Sequence, residues 1–337
     1  MRNLWKIATA LALAASAWGC GSASQSGDAA MEAMGLVRHD IAFQPLVGTE
    51  PWSCSGTYMM GTPPTEAKPS NLHMFVYDVS LVRSDGSATQ LTLDKNEWQG
   101  NFDDIKHNVA LLDFDDGTGN CRFADPETHT SVTGWAPKAD DYTGISFRIG
   151  LPTELNHIDA GLAPPPMNRP GLWWAWKAGN ILLRADFDTQ NQDSHRARTK
   201  DDAFAPPGWQ LWLAEAGYGD QACTGDVDTG YSCANQFQPK VVLSPFDTAT
   251  DRAALDLGAL LQGVDMNRTE FDVYPTAADP KITDATITGY PMPDYFVGCY
   301  TDRVDGECSV IFPHLGLDWM TLSPPDASKQ DYVGRMP

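Results

Sequence analysis

Apolar and polar positions alternate with a period of two along most of the chain, the spacing that gives a strand one buried and one outward face. In "NLHMFVYDVSLVR" (71–83), Leu72, Met74 and Val76 point one way, and His73, Phe75 and Tyr77 the other. "LVRHDIAFQPLVG" from Leu36 reads as a first strand, and "SDG" followed by "ATQLTL" as the turn and return of a hairpin. "HNVALLDF" (107–114) is a near-continuous apolar run, as expected of a central strand. "YTGISFRIGLP" (142–152) is another, ended by Pro152. "GLAPPPMNRPG" (161–171) is too rich in proline for regular structure. "LWWAWKAGNILLRADFD" (172–188) resumes as two strands broken near Gly179, and "PGWQLWLAE" and "PKVVLSPFD" continue the pattern. Helical spacing is confined to "ALDLGALLQGVD" (254–265), where Gly258 weakens it. Many strands at short spacing predict an all-β fold, a sandwich or barrel. With no linker-like break after residue 35, the expectation is a single elaborated β-sandwich with long loops, short helices and disulfides.

The amino end changes the picture from a plain domain to an exported one. Arg2 and Lys6 precede the short apolar run "IATALALAASA", too short to span a bilayer, and a cysteine follows at Cys20. Residues 1–19 are therefore expected to be a signal peptide, with Cys20 as a bacterial lipidation site. The competing reading is a plain secretory leader cleaved nearby. Residues 20–35, rich in small residues, read as a flexible tether. The folded domain is placed at 36–325 and a C-terminal tail at 326–337.

Six cysteines remain after Cys20, an even set that in an exported chain predicts disulfides. Cys223 with Cys233 and Cys299 with Cys308 would close small loops, which leaves Cys54 to join Cys121, one of 15 possible connectivities. Net charge is −21, a surface that repels nucleic acid and anionic lipid. Membrane association would rest on the lipid anchor alone.

Candidate chemistry is sparse. In "LLDFDDGTGNC" (111–121), an EF-hand register from Asp113 fails: Gly117 falls at the fifth position and Ala124 at the twelfth. An irregular calcium site or a plain turn remain. No GxSxG, HExxH or P-loop occurs, so an enzyme is not expected. The seven histidines form no HxH or HxxxH pair, so any metal site must converge from separate strands. Trp173, Trp174 and Trp176 are candidates for sandwich core, a sugar-stacking platform, or a redox-active tryptophan beside a metal.

Several segments, read in order, carry a resemblance: "NEWQ", "VALLDFDDGTGNC", "YTGISFRIGLPTELNHID", "WWAWKAGNILLR", "VVLSPFD", "LDLGALL" and "GCYTDRVDGECSVIFPHLGL". Between Cys54 and Leu317 the chain resembles the MbnP-like family, the exported metallo-mystery-pair four-Cys proteins. The resemblance implies a periplasmic or cell-surface protein associated with copper, working with a dihaem cytochrome c peroxidase-like partner that can oxidise a tryptophan to kynurenine. The family's "LNHxD" matches Leu155, Asn156, His157 and Asp159, which makes His157 the first metal-ligand candidate. Its tryptophan motif matches Trp174 and Trp176, the modification candidates, with Trp98 behind them. Where the family carries a histidine in the next strand, this chain has Trp212. His73 is the possible substitute ligand. The alternative function is a surface β-sandwich that binds carbohydrate or protein without metal, and a third is a family member that has lost its metal and kept the fold.

Overall fold

The computed structural model describes residues 22–121, 127–175, 179–189, 209–214, 223–226, 230–233, 238–266, 297–299, 308–318 and 324–337. The leader, Cys20 and Trp176 lie outside them. Two sheets face each other. The smaller runs in the order Val333–Met336, Arg252–Asp256, Leu36–Val47, Ser131–Pro137 and Thr92–Leu93. The larger runs Lys240–Leu243, Tyr142–Ile149, Thr65–Arg83, Gly179–Thr189, Trp209–Ala214 and Val297–Cys299, with shorter strands attached. The fold is the all-β sandwich expected from the alternation.

The nineteen-residue strand Thr65–Arg83 organises the larger sheet. It pairs with Gly179–Thr189 along its first half, with His107–Asp113 at its middle and with Tyr142–Ile149 along its second half. The hairpin return, Ala88–Gln90, pairs with residues 80–82. Leu72, Met74 and Val76 enter the core between the sheets, together with Ile41, Phe43, Phe147, Leu183 and Phe187. Phe43 and Phe147 meet edge to face across the sandwich, with ring centroids 5.4 Å apart. The opposite face of the same strand carries Phe75 and Tyr77 into a second, smaller core. There Trp98, Val109, Leu111 and Leu182 pack with Leu151, Leu155 and Leu172, and with Ala163 and Met167 of the proline-rich segment. The segment that cannot be regular structure thus serves as the lid of the outer core.

Three segments differ from the sequence expectation. The stretch expected as a flexible tether carries a helix, Ser22–Ala33, which contains four alanines and no proline. The stretch expected as a tail is part of the sandwich: Val333–Met336 pairs with Arg252–Asp256, and Tyr332 is buried beside it. The helical patch shrinks to Leu257–Leu260, because Ala254–Asp256 pair in parallel with the first strand. Asp256 then caps what remains, its carboxylate accepting from the Gly258 and Ala259 amides.

Candidate functional site

The outer face of the larger sheet brings His73 together with buried carboxylates. Register places Asp113 directly opposite His73, Arg184 on its other side, and Trp212 beyond Arg184. Four adjacent strands therefore carry the row Asp113, His73, Arg184, Trp212. His73 Nε2 lies 3.1 Å from Asp113 Oδ2, and its Nδ1 lies 2.6 Å from Asn71 Oδ1 and 3.5 Å from Asp115 Oδ2. One imidazole nitrogen and two carboxylate oxygens stand within 4.8 Å of one another.

Asp115 reaches this place because the chain turns at the end of its strand. Its amide donates to Asp113 Oδ1 at 2.9 Å, which folds the backbone back. Its own Oδ1 accepts from the Leu72 amide at 2.8 Å. The side chain is fully buried, and its Oδ2 receives no hydrogen bond. Burial pushes the Asp115 carboxyl up to about 7, with His73 pulling it down and Asp113 adding to the rise.

Asp186, also buried, closes the other end. It accepts from Arg184 Nε at 2.7 Å and from Trp212 Nε1 at 2.8 Å. Burial raises its pKa, against the pull of Arg184 and the Trp212 hydrogen bond. Arg184 also lies 5.0 Å from the centre of the Trp212 ring, and Trp212 meets Trp174 edge to face at 5.6 Å. The pair keeps the Arg184 charge compensated by Asp186 and tied to the aromatic end of the row.

The other sequence candidates separate. Trp98 stacks on His129, with near-parallel rings 5.4 Å apart, and carries the Arg169 guanidinium 4.2 Å from its ring centre. His129 bridges back to Asp113 through paired backbone bonds, so Trp98 borders the site without entering it. Burial lowers the His129 pKa, opposed by its bond to the Leu111 carbonyl. Trp173 and Trp174 are half-buried on the short strand Trp173–Ala175 and stand outside the sandwich core.

His157 is buried at the end of the one-turn helix Thr153–Asn156. It does not join His73 in the donor cluster found among the described residues. The neighbouring Asn156 has a clear task. It accepts from the Asn180 amide at 2.8 Å, and its carbonyl accepts from Asn180 Nδ2 at 2.9 Å. Gly179, at φ +70°, leaves no room for a side chain: a Cβ there would lie 2.6 Å from Asn156 Nδ2. "LNHID" therefore clamps the hairpin that presents Trp173 and Trp174.

Cys54 and Cys121 are joined by a disulfide, as reached by elimination. Cys308 is disulfide-bonded as well. Cys223 and Cys233 stand opposite each other in a two-stranded ribbon. Cys299 ends the strand Val297–Cys299.

Asp113, Asp115, Asp186 and the pairing of Trp212 with Asp186 are the contributions that sequence reasoning missed. Asp113 and Asp115 were visible only as a failed calcium register. No local pattern couples them to His73, forty residues and one strand pairing away.

The donor set of one imidazole nitrogen and two carboxylate oxygens fits a divalent cation, Cu(II) among them. It lacks the sulfur that favours Cu(I). Cys54 and Cys121 also flank Asp115, but both sulfurs are committed to the disulfide.

Sandwich, disulfide and buried imidazole–carboxylate cluster define a stapled β-scaffold with a candidate cation site on one outer sheet face. The MbnP family model matches residues 37–278, and the chain belongs to that family. A solved structure, MbnP from Methylosinus trichosporium, superposes with a TM-score of 0.66 over 89% of this chain and 98% of that one, at 24% identity, a likeness of fold. No curated protein matches.

Proposed function

We propose that this protein is an exported, non-enzymatic copper-binding protein, attached through a lipid on Cys20 to the outer membrane and facing the periplasm or the cell surface. Its partner in this reading is a dihaem cytochrome c peroxidase-like protein that oxidises one of its tryptophans. The observation that carries the metal assignment is the convergence of His73, Asp113 and Asp115 within 4.8 Å on a face that also presents Trp212 and Trp174. His73, Asp113 and Asp115 would hold the ion, and Cu(II) is the copper state their donors suit. Bound copper would supply a redox-active or transportable cation. The chain's own residues orient it: Asn71 fixes the His73 ring, the Leu72 amide fixes Asp115, and Asp186 neutralises the neighbouring Arg184.

Protein from the native host is expected to contain copper and to absorb as a kynurenine. No copper together with intact tryptophans would sink the reading. His73→Ala is expected to abolish Cu(II) binding by the purified protein in a competition titration, and His157→Ala to leave it within about threefold. The reverse pattern would move the site to His157.

A second reading, a metal-free surface module for carbohydrate or protein, draws support from the half-exposed Trp173 and Trp174. Glycan binding that is lost in Trp174→Ala, by a protein without copper, would favour it.

A further inference from the structure

The structure assigns to the Cys54–Cys121 disulfide a positioning role: it holds the 114–121 turn inward so that the Asp115 carboxylate stays against His73. The inference rests on the metal reading of the His73 site and deepens it.

A carboxylate does not stay buried by its own preference. Taking an ionised group out of water costs several kcal/mol unless its lone pairs are satisfied. Asp115 is fully buried, yet only its Oδ1 accepts a backbone hydrogen bond, and Oδ2 accepts none. It is the second residue of the eight-residue turn 114–121, which contains Gly117 and Gly119 and, left free, could rotate the side chain into water. The Leu72 amide holds Oδ1 alone, and the far end of the turn needs an anchor as well.

The disulfide is that anchor. Cys121 closes the turn and is bonded to Cys54, whose Sγ lies in the same cluster as the Asp115 oxygen, within 4.8 Å. Around it the turn lies flat on the backbone of residues 54 and 55. The Asn120 amide donates to the Cys54 carbonyl at 3.3 Å, and the Thr118 hydroxyl meets the Ser55 hydroxyl at 3.1 Å. Gly119 sits so close that a Cβ would fall 2.0 Å from the Cys54 carbonyl oxygen, and its φ of +53° suits glycine. Both cysteines are buried, so the staple is sealed inside the fold. The bond and the glycine contact together press the turn inward, and Asp115 is the side chain this pressure delivers to His73.

The test uses the mature protein carrying Cys54→Ala together with Cys121→Ala, with Asp115→Asn and their combination alongside. The metal-free proteins are read by the nitrogen chemical shifts of the His73 ring, and then titrated with Cu(II) alone. The alanine pair is expected to shift the His73 ring signals and to weaken Cu(II) binding about 10- to 100-fold. In the Asp115→Asn background, removing the disulfide should add no further loss, because both changes act through one carboxylate.

Gly119→Ala, which keeps the disulfide and breaks the close contact, should move the same ring signals. Should the wild-type protein bind no Cu(II), the metal reading fails, and the ring signals alone decide the positioning role. A folded alanine pair with unchanged His73 signals would overturn the inference. So would losses that add fully to those of Asp115→Asn. Unfolding of both the alanine pair and Gly119→Ala would likewise overturn it, by showing that the staple supports the whole fold.

Discussion

The two faces of the strand Thr65–Arg83 are built from the same backbone and obey different rules. Toward the smaller sheet, Leu72, Met74 and Val76 join the main apolar core, and their packing follows from area removed from water. Toward the outside, His73 stands one residue from each of Leu72 and Met74 and meets two buried carboxylates. The inner face is stabilised wherever shape fits. The outer face is tolerable only where each charge has a partner, and Asp115 Oδ2, 3.5 Å from His73 Nδ1 and without a hydrogen bond, shows one place where that pairing is loose. A fold that needed only stability would fill this position with an apolar residue. The difference teaches that the inner core carries the sandwich and the outer row carries its buried charge.

The sharpest way to break the comparison is to cut each face. Phe187→Ala removes a fully buried ring that packs edge to face on Trp52 and against Trp209 in the main core. It is expected to cost about 3–5 kcal/mol in urea denaturation. A loss under about 1 kcal/mol would show that the inner face is not the main source of stability.

On the outer face the sign reverses. Burial holds the Asp115 carboxyl up at about 7 in the fold, well above the ordinary carboxylate range. The unfolded chain therefore releases that proton first, and the fold loses stability as pH rises from about 4 to about 7. Asp115→Asn removes the penalty. In the metal-free protein it is expected to gain about 2–4 kcal/mol at pH 8 and nothing below about pH 4, read as the pH dependence of the urea midpoint. A loss of stability at pH 8 would show that the carboxylate is a stabilising element.

The smallest expected effect sharpens the border between the regions. Arg169→Ala removes the guanidinium over Trp98, and about 1 kcal/mol of stability should go with it. Cu(II) affinity should stay unchanged, because Trp98 borders the site through His129 only. A fall in affinity would bring Trp98 into the metal site.

Much of the scaffold was legible from residue order. The alternation through 71–83 assigned both faces of the long strand correctly, because a period of two leaves no choice once one face is buried. Gly179 marked the break between Trp173–Ala175 and Gly179–Thr189, and the pairing of Cys54 with Cys121 followed from the spacing of the other four cysteines. His73 was named as a possible ligand only because a strand was expected there. Its partners were hidden: Asp113 reaches it through strand register, and Asp115 through a turn held by a disulfide. The strand at the carboxyl end was hidden for the same reason. Val333–Met336 joins the sheet through a partner some eighty residues away, and local composition carries no trace of that.

By itself the sequence determined the alternating strands, the turns, the family and the expected staple, because backbone geometry and side-chain polarity act over a few residues. Only the tertiary structure decided that His73, Asp113, Asp115, Arg184, Asp186 and Trp212 form one row. Their meeting depends on register across four strands and on the burial of charges that a local reading places in water.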